Sequence, residues 1–175
     1  MIESRRPASL LGTLAWLWGL GGIVALLVTS SVRLAGIGWD SFNYDFNFWH
    51  WLLLVLHTLF MAHAEGYRGF QTSFSPRAVA RAWHLRAHPT WFTTLLAPLF
   101  CMGYFGTTRR RMISAYALTV GIVLLIVAFQ YLAQPWRGIL DVGVVVGLTW
   151  GTASILVFAL RTWTTGRATT SPELD

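Results

Sequence analysis

Apolar residues run in four long blocks, over 10–30, 46–64, 112–132 and 139–160. Each is close to the ~20 residues that a helix needs to cross a hydrocarbon core of ~30 Å. The pattern therefore predicts an all-α integral membrane protein with four transmembrane helices. A fifth apolar stretch, 90–106, is shorter and is interrupted by Pro98 and Gly103. It reads as a re-entrant segment or a short fifth span. Ahead of it, Ser75-Pro76 supplies an N-cap and a first-turn proline, and Pro89 closes the segment they open. This predicts a helix over 76–87. On its wheel Arg77, Arg81, His84 and His88 share one stripe, opposite Val79, Ala82 and Trp83. Such a helix is expected to lie on the membrane interface with its arginines near lipid phosphates.

Charge decides between crossing and turning back. Arg68, Arg77, Arg81 and Arg86 precede the 90–106 stretch, and Arg109, Arg110 and Arg111 follow it. If the N-terminus and residues 67–111 share the cytoplasmic side, that side holds eleven arginines and four acids. The other side then holds Arg33 and Arg137 against Asp40, Asp45 and Asp141. Four spans obey the positive-inside rule, whereas five would put an arginine cluster outside. Both ends are thus expected in the cytoplasm of a bacterial-type inner membrane, as short tails 1–9 and 164–175 of one polytopic domain covering 1–175. The first apolar run is too long for a signal-peptide core, so Arg5 and Arg6 read as a topological anchor.

Composition removes the soluble alternatives. The 175-residue chain is 55% hydrophobic and 11% charged, less than half the ~25% charged share of soluble domains. All 13 basic residues are arginine and the net charge is +6, which suits contact with anionic lipid. That charge is split among loops, with no nucleic-acid module. Cys101 is the only cysteine, so no internal disulfide can form.

The last span carries Gly143, Gly147 and Gly151, spaced four apart. Such a stripe lets another backbone approach closely. The expected partner is the glycine-bearing first span (Gly12, Gly19, Gly22), or another membrane protein or a second copy of the chain. Arg137 and Asp141, four apart, are placed to pair.

Candidate chemistry centres on five histidines, all between residues 50 and 88. His57 lies near mid-span, where an ionisable group needs a partner. His63 and Glu65 emerge at the inner end of the second span, near His84 and His88. The i, i+4 pair His84 and His88 presents both rings on one face, a spacing metals use. With His63 and Glu65 it makes a metal site possible. The five-residue pattern His84-x3-His88 resembles one histidine box of membrane desaturases and hydroxylases, although those enzymes need more boxes than five histidines supply. A haem on His57 would need its second axial ligand from Met102, Met112 or another subunit. No nucleophile elbow, phosphate loop or paired carboxylates appear, so acid–base work would rest on Glu65 and the histidines. The expectation is a small non-catalytic accessory or assembly subunit of a larger membrane complex, with no cofactor and a cytoplasmic basic platform of Arg77, Arg81, Arg109, Arg110 and Arg111 on lipid. The alternatives are a metal- or haem-binding membrane redox protein, and a small transporter gated by the broken hairpin with His57 as proton relay.

Overall fold

A computed structural model describes residues 9–174; Arg5 and Arg6 lie outside the described residues. Among those residues every regular element is a helix. Helix α1 spans Leu10–Asp40 and is capped by Ser9, whose Oγ accepts the Gly12 N–H at 3.0 Å. A 3-10 turn, Ser41–Asn43, follows. Helix α2, Phe48–Met61, starts with a reciprocal cap: Asn47 Oδ1 accepts from His50 N–H at 3.1 Å, and His50 Nδ1 accepts from Asn47 N–H at 3.2 Å. It does not stop where its apolar block ends. Ala62–Phe74 continue it as a π-helix, and α3, Ser75–Ala87, continues that, giving one unbroken rod from Phe48 to Ala87. Then come α4 (Trp91–Leu95), α5 (Ala97–Met102), α6 (Arg109–Gln130) and α7 (Trp136–Thr165). Three helices are long and apolar enough to cross a membrane: α1 with its 3-10 turn, α6 and α7.

Helix α7 lies antiparallel to α1, with Gly38 against Val142 at one end and the Trp16 ring tilted against Trp163 at the other. It runs parallel to the rod, where His57 meets Gly143 and Phe70 meets Gly151. The residues that the rod presents to α7 are His57, Met61, Glu65 and Phe70. They step by four, four and five positions. The i→i+5 bonding of a π-helix turns the backbone less per residue than an α-helix does, so this mixed stepping stays in line over α7. Gly66 admits the Trp150 ring, since a Cβ there would sit 2.9 Å from Trp150 Cγ.

The core gathers at one end of the bundle. Ala15, Leu20 and Ile23 of α1 pack with Val79, Ala82 and Leu85 of α3, Phe100 and Cys101 of α5, and Ile155 of α7. In α2 only His50 is buried. The 76–87 segment is therefore the end of the rod rather than a separate helix. It is helical as expected, but Ala78, Val79, Ala80, Arg81 and Ala82 are all buried in sequence. Small side chains on every face let neighbours close around it.

The 90–106 stretch forms two helices of 5 and 6 residues that bend at Leu96. It runs beside α1, where Trp18 Nε1 donates to Leu95 O at 3.1 Å and Pro98 fills the space over Gly22. It then returns through Gly103, in the left-handed region at φ 87, to meet Arg81 of α3. The segment turns back on itself.

The glycine rows find different partners from those expected. Gly143, Gly147 and Gly151 are filled by His57, Glu65 and Phe70 of the rod, not by α1. Side chains of the same chain thus occupy the space over all three glycines. The α1 row instead receives the Arg86 backbone at Gly12, Cys101 at Gly19 and Pro98 at Gly22. Arg137 and Asp141 do pair, with Nε to Oδ2 at 3.8 Å.

Candidate functional site

The histidine cluster expected from the sequence does not assemble. Among the described residues no three His, Cys, Asp or Glu side chains stand close enough to hold a metal ion. His57 Nε2 lies 3.2 Å from Leu140 O, against Gly143. His63 stacks on Tyr67 with centroids 5.8 Å apart, and Glu65 packs over Gly147. His84 and His88 stack on each other at 4.7 Å. Burial, and then the neighbouring His88, push the His84 pKa below its ordinary value, which favours a neutral ring. Glu65 makes no ion pair among the described residues. The winding separates these groups: His63 and Glu65 sit on the π-helix, while His84 and His88 sit at the far end of α3.

Three arginines of the expected platform gather instead at the C-terminal tail, a docking that the sequence pattern did not suggest. Arg81, expected at lipid phosphates, is 4% exposed and points inward. Its Nε donates to Pro172 O at 3.0 Å, one Nη to Cys101 O at 3.3 Å and the other to Thr107 Oγ1 at 3.0 Å. One guanidinium thus ties α3, the return of the hairpin and the C-terminal tail together. Gly103 makes room for it, since a Cβ would lie 2.6 Å from the guanidinium.

The tail completes the arrangement. Within the tail expected over 164–175, Leu174 packs on the core. Glu173 O accepts from Thr107 Oγ1 at 2.7 Å and from Thr108 N–H at 3.3 Å. Its carboxylate takes a two-pronged contact from Arg111, at 2.6 Å from Nε and 3.1 Å from Nη. This fork geometry is the strong form of a charge-assisted bond. The Arg111 bonds hold the Glu173 pKa below the usual carboxylate value, and burial opposes that. Arg77 donates to Ser73 Oγ at 2.7 Å, and burial followed by repulsion from Arg111 lowers its pKa. Burial and then Arg77 lower that of Arg81. Arg111 holds the Glu173 carboxylate, Arg81 holds the neighbouring Pro172 carbonyl, and Arg77 lies one helical turn before Arg81, so the three arginines form one basin at the docked tail.

Of the arginines expected at lipid, Arg109 and Arg110 are exposed. Arg86 lies over the Trp83 and Trp163 rings at 4.6 and 4.5 Å. Among the described residues the basin offers guanidinium, hydroxyl and backbone amide donors around one carboxylate. One sequence signal could have revealed it. Arg81 sits within Ala78-Val-Ala-Arg-Ala82, and small apolar neighbours on every side of a helical arginine indicate burial. No protein-family model, no curated protein and no solved structure matches this chain.

Proposed function

We propose that this chain is a small, non-catalytic accessory or assembly subunit of a larger complex in a bacterial-type inner membrane. In this reading it crosses four times, through α1, the outer part of the Phe48–Ala87 rod, α6 and α7. Both ends are cytoplasmic, by the charge asymmetry of the loops. Arg109 and Arg110 meet anionic lipid there.

The observation that carries this reading is α6. Its 22 residues include none that is buried, and among the described residues it packs along no other helix. It is held at its start, by Arg111 and Thr108 on Glu173, and by Tyr104, which bonds Thr119 and meets the Tyr116 ring edge-on. Helix association in membranes depends on side-chain packing, which α6 has not used within its own chain. We take its partner to be a transmembrane helix of another protein.

Photo-crosslinkers placed in native membranes at Leu118, Val123 and Leu125, all exposed, are expected to yield one protein adduct of constant mass. A crosslinker at buried Ile155 should stay within the chain. Adducts to lipid alone from all three α6 positions would overturn the reading.

A further inference from the structure

We propose that the basin of Arg77, Arg81 and Arg111 is a binding site for a phosphate-bearing anion, and that the C-terminal tail is its displaceable lid. The proposal does not depend on the accessory-subunit reading.

Three features carry it. First, charge is uneven: Arg111 forks the Glu173 carboxylate, Arg81 holds the adjoining Pro172 carbonyl, and Arg77 stands one helical turn from Arg81, three guanidiniums to one carboxylate among the described residues. A phosphate dianion matches that excess better than one carboxylate, and planar guanidinium forks suit its oxygens. Second, the donors are already arranged. Arg81 is fixed by three bonds and nearly fully buried. Thr107 Oγ1 and the Thr108 N–H converge on one oxygen, Glu173 O. Thr108 precedes the 22-residue helix α6, so the positive end of that helix faces the same place. Third, the present occupant is held under strain. Glu173 is the described non-glycine residue with positive φ, at 52°, and Glu is not among the side chains that favour this region. A ligand that brings its own oxygens would let the tail relax.

The same chemistry can come from a lipid headgroup or from free phosphate. The full-length protein can be reconstituted in phosphatidylcholine vesicles with a nitroxide at Thr170→Cys, an exposed tail position. Cys101 is buried and should not take the label. The label is expected to be slow at first. Either inorganic phosphate or vesicles containing phosphatidic acid should make it fast, and the one that does identifies the source. In a Glu173→Gln background the half-effective concentration should drop roughly tenfold, as expected when one charge-assisted contact no longer competes. Arg77→Met should raise the required concentration by about the same factor. A label that neither probe mobilises, in wild type and in Glu173→Gln alike, would overturn the proposal. So would an Arg77→Met variant that responds like wild type.

Discussion

Arg81→Met is expected to lower the stability of the detergent-solubilised protein by about 3 kcal/mol. The side chain is almost fully buried and bonds three acceptors, Pro172 O, Cys101 O and Thr107 Oγ1. A hydrogen bond to a charged group contributes about 1.5–3 kcal/mol net, and a buried acceptor left without a donor costs about 1–3 kcal/mol. Removing a buried charge works in the opposite direction, because its desolvation cost disappears. Three bonds on one guanidinium outweigh that relief, and methionine keeps most of the stem's packing. For a chain of this size the loss corresponds to a midpoint roughly 6–12 °C lower. Arg81→Lys should recover little, since an ammonium cannot reproduce the fork. A thermal melt of Arg81→Met within about 1 °C of wild type would show that the clamp contributes nothing.

The second large effect is expected at Gly12. A Cβ there would stand 2.2 Å from Arg86 O, a backbone atom that cannot rotate away. Gly12→Ala should therefore separate α1 from α3 and cost about 1–3 kcal/mol as overpacking, or more. Gly21 lies on the same helix with nothing within 4 Å of its would-be Cβ. Gly21→Ala should be neutral or stabilising by up to ~1 kcal/mol through helix propensity. Two identical substitutions nine positions apart on one helix thus acquire opposite signs from packing alone. Equal melting midpoints for the two variants would contradict the close approach of α1 to Arg86.

Much of the helix pattern was legible in the sequence, and the misses have physical causes. Apolar blocks located α1, α6 and α7, but hydropathy follows solvent and not backbone winding. Arg33 ends the apolar run of α1 without ending the helix, which continues to Asp40. In the same way polarity rises after residue 64 while the rod stays helical to Ala87. The glycine rows were visible, yet which neighbour fills them depends on shape: the His57 and Phe70 rings fit between backbones that two glycine-bearing helices would have brought into contact. The arginine basin was hidden by distance along the chain. Arg81 reaches Pro172 across 91 residues and Thr107 reaches Glu173 across 66, and a polar tail beside arginine-rich loops carries no local sign that it docks. The expected histidine site failed for a complementary reason. Residues 63, 65, 84 and 88 are near in sequence, and an uninterrupted helix keeps such residues apart along its axis.

The most direct measurement is the native mass of the protein released from its own membrane in lipid nanodiscs without detergent stripping. The expected result is this 19.6 kDa chain in fixed stoichiometry with a second membrane protein, and loss of that species when bulky polar residues replace Leu118 and Leu125 on α6. A homogeneous lone chain, with lipid but no protein bound, would contradict the accessory-subunit reading.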